Sequence, residues 1–371
     1  MMENRSFDHF LGWLPGANGK QAGLTYVDSY GAARSTYHLQ DFQGCAHPDP
    51  DHSFEGGRVE YNNGACDGWL RAGENDVFAI GYYQSQDLAL YGKAAPYWTV
   101  CDNYFSAIMA ETYPNRFYQH AAQTDRIHNS TTISALPTIS DRLAAAGLDG
   151  RYYFYDTPFT ALWGTKYLSI SRPFAEFLTD CAAGTLPHLS FVDPKFLDEG
   201  SGSSADDHPH ADIRAGQSFL NQVYQAVTSS PAWGRTLLVI NYDEWGGFFD
   251  HVAPGVAPDV NPAWGLRGFR VPCLVISPRA RRGHVAHNVY DHTSVLKAVE
   301  WRWNLAPLTV RDAAARNIAE VLDFTEPPDT TAPRWSVPTV LGSPCAISEY
   351  VDYEQWAALR DLAVSEGWQL P

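Results

Sequence analysis

Lysine is scarce in this chain. Only Lys20, Lys93, Lys166, Lys195 and Lys297 occur, and every other basic residue is arginine. The 26 basic residues face 42 acidic ones, a net charge of −16. Such a chain lacks the positive field that nucleic acid or an anionic membrane surface calls for, so neither is expected as a partner. An anionic substrate is still permitted, because a bound metal reverses the sign locally. No apolar run approaches the roughly 20 residues of a membrane span, so no transmembrane segment is expected. The chain opens Met1-Met2-Glu3-Asn4-Arg5, which is not a signal peptide. There is no internal repeat and no clear linker.

No two of the six cysteines form a CxxC pair, which argues against a cysteine zinc site. Cys101 and Cys273 stand in apolar runs and read as buried thiols. Cys45 and Cys66 lie in Gly-rich, loop-like sequence and could close a disulfide.

What is present is enough for a large folded unit: 371 residues, 45% hydrophobic and 18% charged. Aromatics reach 13%, with packing in core and loops a better reading than a lipid- or carbohydrate-facing surface. Short β-branched or aromatic runs predict strands at 99–105, 151–155, 188–192, 236–240 and 271–277. Helical spacing predicts helices at 214–229, through Phe219, Leu220, Val223, Tyr224 and Val227, and at 292–303, through Val295, Leu296, Val299 and Trp303. The alternation implies an α/β fold with a mostly parallel sheet covered on both faces, and ligands beyond the carboxyl ends of its strands. Asp193, Asp243 and Glu244 fall there. Gly200–Ala205 is a flexible loop by composition. Residues 325–343 read as an extended arm, followed by a last helix at about 350–366. The whole of 1–371 is expected to be one domain.

Several polar clusters could carry chemistry. Asn241-Tyr-Asp243-Glu244-Trp-Gly246-Gly247 ends a hydrophobic strand with adjacent carboxylates, which cannot be buried uncompensated. The glycines let the backbone approach something closely. Glu3-Asn4-Arg5-Ser6-Phe7-Asp8-His9 and Asp206-Asp207-His208-Pro209-His210-Ala211-Asp212 are dense in acid–base and metal-binding groups. The second could equally be a polar loop whose Asp212 caps the next helix. In Glu111-Thr112-Tyr113-Pro114-Asn115-Arg116, a hydroxyl opens a helix with an arginine nearby. That is an ordinary helix start, and also a seat for a phosphoryl group. Asp49-Pro50-Asp51-His52-Ser53 is by itself only a polar loop.

Taken together and in order, ENRSFDHF, DPDHSFEG, TYPNR, DDHPHADIRAGQ, NYDEWGGFFDHV and DHTSVLKAVEW resemble the motifs of the bacterial phosphoesterase family of phospholipases C and metal-dependent acid phosphatases, within about residues 1–305. The resemblance implies an alkaline-phosphatase-like fold, a central sheet between helical layers, with 306–371 as arm and terminal helix. It implies that Thr112 is the nucleophile and that Glu3, Asp243 and Glu244 hold one divalent metal together with Thr112. Asn4 would contact the metal or a phosphoryl oxygen, and His52 and His208 would line the phosphate site and act in catalysis. Arg116, from its place near the helix-start hydroxyl, is expected to bind substrate. Asp207 sits where the family varies, and His210 and His251 match no role. Oxygen ligands leave Ca²⁺, Mg²⁺, Mn²⁺ and Zn²⁺ open.

The expected function is therefore hydrolysis of phosphoric esters through a covalent phosphothreonine, as in a general phosphoesterase or acid phosphatase. The alternative within the class is a phospholipase C acting on phosphatidylcholine-like lipids, so the partner is a small phosphate ester or a phospholipid headgroup. The alternative outside it is a non-catalytic binding protein that keeps the fold. In the family the first motif follows a hydrophobic strand that is missing here. The expectation is a shortened N-terminus with Glu3 poorly held, and an exported or periplasmic protein if a leader preceded it.

Overall fold

The computed structural model describes residues 1–346 and 352–371. Two sheets form the scaffold, and both belong to a mixed α/β architecture. The strands that matter here are β1 (Thr99–Cys101), β2 (Gly150–Phe154), β3 (Ser171–Pro173), β4 (Leu189–Val192), β5 (Leu238–Asn241), β6 (Cys273–Ile276) and β7 (His284–Ala286). The smaller sheet, ordered β3-β2-β4, is wholly parallel. The larger, ordered β5-β6-β1-β7, is not: β6 runs antiparallel to both neighbours, and only the β1–β7 pair is parallel. The mostly parallel sheet expected from the strand–helix alternation is thus only partly realised. The cause is the β5–β6 connection. Residues 242–272 form a long loop with only a 3-10 turn instead of a crossover helix, so the chain returns antiparallel.

The start of the chain bridges the two sheets. The Met1 amino group donates to Val192 O of β4 (3.2 Å). Met2 N donates to Asn241 O of β5 (2.8 Å), and Met2 pairs in parallel with Tyr242. Glu3 is therefore held at the carboxyl ends of both sheets, not poorly held, and it is fully buried.

The amphipathic pattern places the helices well. Helix α4 (Ile213–Thr228) buries Phe219, Leu220, Val223, Tyr224 and Val227, and the Asp212 carboxylate caps it by accepting from Arg214 N. Helix α5 (His292–Trp303) begins with a reciprocal capping box between Asp291 and Ser294. The chain-order labels α1 (Phe7–Leu11), α2 (Phe54–Tyr61), α3 (Thr112–Ala121) and α6 (Trp356–Ser365) cover the other helices used below. The terminal helix α6 starts later than the pattern suggests. Residues 350 and 351 lie outside the described ones, and Asp352–Gln355 form a turn with Gln355 in the left-handed region.

Aromatics fill the core, as the composition suggested. Trp69, Trp98, Trp245 and Trp356 are among the largest fully buried side chains. One cluster gathers Trp98, Tyr104, Leu274 and Val275 beneath the larger sheet. A second gathers Tyr113, Phe117, Phe159, Trp163, Trp356 and Leu359 behind α3. Residues 325–343 lie across the first cluster as an extended arm: Trp233 Nε1, Tyr224 OH and Lys93 Nζ donate to the carbonyls of Thr330, Pro333 and Ser336.

Two expectations need correction. The disulfide joins Cys45 to Cys345, not to Cys66, which is a buried free thiol like Cys101, Cys181 and Cys273. Sequence proximity suggested the wrong partner because the arm brings residue 345 back across the molecule. The Gly200–Ala205 loop is not a free coil either: Cys345 N bonds Ser201 O and Ala205 N bonds Lys195 O, and Gly200 and Ser204 are buried.

Asp291 shows how these elements lock. It caps α5 and is paired with Arg267 (2.7 Å) and Arg311 (3.1 Å), all but buried. Burial alone would raise its pKa, but the two arginines hold it well below the usual carboxylate range. A depressed pKa contributes stability above the unfolded value of about 4, and that stability is lost as pH falls through the folded one. We expect Asp291→Asn to cost about 3 kcal/mol at neutral pH, because it removes the carboxylate that Arg267 and buried Arg311 share and leaves Arg311 with Asp259 alone. Urea denaturation at pH 7 and at pH 3 checks this, since the gap between the two proteins should narrow in acid.

Candidate active site

The site forms where the carboxyl ends of β4 and β5 meet the N-terminus of α3. Glu111 is the N-cap of α3 and Thr112 its first residue, so the hydroxyl sits at the positive end of the helix dipole. Pro114 has no N–H to leave unpaired in this first turn. Asn115 fixes the approach: its Oδ1 accepts from Ile108 N (3.0 Å), and its Nδ2 donates to the carbonyls of Ile108 and Ala110.

Opposite Thr112 lies the chain start. Asn4 adopts φ 58°, and the β5 loop packs tightly against it. A side chain at Gly246, itself at φ +64°, would meet Asn4 O at 2.1 Å. One at Gly247 would meet Pro50 C at 2.7 Å. The double glycine is therefore where the segments bearing Asn4 and His52 close on the β5 loop.

Hydrogen bonds then draw the implied residues together. Asn4 Oδ1 accepts from Thr112 Oγ1 (3.4 Å), and Asn4 N donates to Asp243 Oδ1 (3.2 Å). Asn4 Nδ2 lies 3.3 Å from His52 Nε2. Asp243 Oδ1 also accepts from Glu244 N, and Glu244 Oε2 accepts from Gly246 N. Glu3, Asn4, Thr112, Asp243, Glu244 and His208 have no exposed surface.

Arg116, expected to bind substrate, is engaged by carboxylates. Its guanidinium reaches Glu3 (2.8 Å), Asp193 (3.2 Å) and Asp243 (3.2 Å), one carboxylate at each nitrogen. The residue is a counter-ion to the carboxylates. Burial opposes its charge, but those three partners keep it protonated.

Both histidines are oriented through Nδ1, His52 against Pro50 O (2.8 Å) and His208 against Pro209 O. Their Nε2 atoms face one oxygen, Oε1 of Glu354, at 2.7 and 3.4 Å. Burial would lower the pKa of His52, but Glu244 and Glu354 raise it well above normal. Burial would lower that of His208 too, but Asp49 and Glu354 raise it. The acid groups around the pair are raised too, in their case by burial. Glu3 and Glu244 are raised by burial and by Asp243, and Asp206 is raised to about 7, chiefly by burial.

The donors suit a divalent metal. Glu244 Oε1, Glu199 Oε2 and Asp206 Oδ2 are buried with no hydrogen-bond partner, next to the carboxylates of Glu3 and Asp243. Such an oxygen-rich set fits a hard cation. Among the described residues, clustered ligand atoms occur as Glu3–Glu199–Asp206, Asp49–His52–His208 and Asp8–Asp250–His251. In the last, Arg270 pairs with Asp8 (3.0 Å) and Asp250 (2.9 Å).

Some residues named by sequence have structural work instead. Asp207 accepts from Tyr242 OH, His251 pairs with Asp8, and His210 Nε2 bonds His47 O. Glu354, Glu199 and Asn129 were missed. They lie outside every motif and reach the site only through tertiary folding, whereas Asp49 and Asp193 stood in quoted or strand-end positions.

Known proteins resemble this chain. Residues 1–306 match the Phosphoesterase family. Non-specific phospholipase C6 of Arabidopsis thaliana is 32% identical, over 90% of this chain and 73% of its own. Phospholipase C A of Mycobacterium tuberculosis is 29% identical, over 91% of this chain and 79% of its own. A solved structure of a protein in the alkaline phosphatase superfamily from Vibrio parahaemolyticus aligns with a TM-score of 0.42 and 10% identity, over 82% of this chain and 72% of that one. The match of residues 1–306 to the family and the two phospholipase C relatives lead to one conclusion: the chain belongs to the Phosphoesterase family and is a phosphoric ester hydrolase.

Proposed function

We propose that the protein cleaves phosphoric esters through a phosphothreonine on Thr112, as one catalytic unit spanning 1–371. The observation that supports this is a buried helix-start hydroxyl bonded to Asn4, which itself reaches Asp243 through its backbone N–H and lies 3.3 Å from His52 Nε2. Thr112 Oγ bonds to phosphorus as the ester oxygen leaves, and the hydroxyl proton passes to the histidine pair. That pair returns a proton to the departing alkoxide. In the second half water attacks phosphorus, gives its proton to the pair, and Thr112 recovers one. Asn4 Nδ2 donates to a phosphoryl oxygen, and the α3 N-terminus favours the added negative charge. Glu3, Asn4, Thr112, Asp243 and Glu244 would hold a divalent ion, which when bound stabilises charge on the nucleophile and the phosphoryl oxygens. The test is nitrophenol release from nitrophenyl phosphate with and without chelator, followed by acid quench and mass analysis of the peptide containing Thr112. A catalytically silent chain would instead be a binding protein.

A phospholipase C reading is favoured by one feature. Beside His52 lies a cavity of about 410 Å³ with Asp49, Asp51, Glu111 and Tyr353 in its wall. An acidic wall with an aromatic ring suits a cationic headgroup such as phosphocholine. A nitrophenyl phosphocholine ester turned over faster than the monoester would select this reading.

His208→Ala should lower turnover of alkyl esters about 100-fold or more, but nitrophenyl esters far less, since nitrophenolate departs with little protonation. Equal losses on both substrates would make His208 a phosphate binder and not the acid.

A further inference from the structure

We propose that residues 352–355 are a built-in plug, in which the Glu354 carboxylate occupies the anion seat between His52 and His208 and must withdraw before a phosphoryl group can bind. The proposal rests on the phosphoesterase reading of this site and concerns its regulation.

Glu354 is 1% exposed and makes the contacts an anionic substrate would need. Its Oε1 lies 2.7 Å from His52 Nε2 and 3.4 Å from His208 Nε2, and its Oε2 accepts from Asn129 Nδ2. A carboxylate and a phosphoryl group present the same acceptor oxygens to such donors, so the two compete for one seat. Behind it Thr112, His208, Asp243 and Glu244 have no solvent-exposed surface, while the neighbouring cavity ends against Tyr353, Glu354 and Gln355. The ring of Tyr353 lies over His208, with centroids 6.0 Å apart.

The plug is held from both sides and by polar contacts of its own that withdrawal must break, among them Tyr113 OH to Gln355 O (3.0 Å) and Gln355 Nε2 to Asn129 O (3.2 Å). Downstream, Trp356 is stacked on Phe196 (3.8 Å between centroids), and its Nε1 faces Glu3 Oε2 (3.4 Å). Upstream, the Cys45–Cys345 disulfide ties the arm to the body. Between these anchors, the described residues 352–355 form only a turn: Glu354 N bonds Glu199 Oε1 and Gln355 N bonds Asp352 O. A short turn can swing on fixed anchors without unfolding α6.

The rival explanation is that Glu354 permanently orients the two histidines. The two differ in what removing its charge does. In the full-length chain at pH 7, Glu354→Gln should lower the inhibition constant of orthophosphate against nitrophenyl phosphate hydrolysis at least about tenfold, and lower KM likewise. An unchanged inhibition constant, or a fall in kcat alone, overturns the plug in favour of positioning. A second measurement needs no variant: saturating orthophosphate should speed amide hydrogen exchange in a peptide covering 352–355 of the wild-type chain. Unchanged or slower exchange there overturns the plug. If neither protein hydrolyses the ester nor binds orthophosphate, the phosphoesterase reading of the site fails and this proposal falls with it. Wild-type turnover that Glu354→Gln leaves untouched sinks the plug alone.

Discussion

Thr112→Ala will reduce turnover by about a thousandfold or more, some 4 kcal/mol of transition-state stabilisation, because it deletes the atom proposed to bond to phosphorus. Thr112→Ser will stay within about tenfold of wild type. The fold should survive both changes. The hydroxyl has one contact, to Asn4 Oδ1 at 3.4 Å, and the lost methyl costs roughly 1 kcal/mol at a fully buried position. Activity, melting temperature and the phosphopeptide assay together decide the matter. An alanine variant that keeps its rate would mean that water attacks phosphorus directly.

Arg116→Gln will cost about 3–5 kcal/mol of stability, since it leaves Glu3, Asp193 and Asp243 buried without their shared cation. Arg116→Lys will recover little, because an ammonium cannot fork to three carboxylates in the guanidinium geometry. Added Mg²⁺ or Ca²⁺ should restore part of the loss, as a cation at the carboxylates again offsets their repulsion. Urea midpoints with and without the metal measure this. Had Arg116 served as a substrate ligand, the signature would be a raised KM on a stable fold.

Much of the site was legible because its residues stand where local structure ends. Asp243 and Glu244 follow β5, Thr112 opens α3, and Asp212 caps α4, each announced by a change of period or a capping residue. Helix α5 was legible to the residue because its capping box is written in four positions, and a left-handed Asn304 ends it. The partnerships were not legible. Nothing in TYPNR says that the arginine turns to carboxylates on two different strand ends, and nothing near residue 354 marks a carboxylate bound for two histidines some 300 and 150 residues upstream. Nor could periodicity foresee β6 running backwards, since a buried strand has the same four apolar residues in either direction.

The covalent bond between Cys45 and Cys345 closes a ring of chain with a sequence separation of 300 that contains all the implied site residues except Glu3 and Asn4. A protease that nicks an exposed turn inside that ring produces two pieces that remain one molecule. On a denaturing gel such a nicked chain would show fragments only after reductant is added. Migration with and without reductant therefore reports whether the bond has formed in any given preparation, before a single rate is measured.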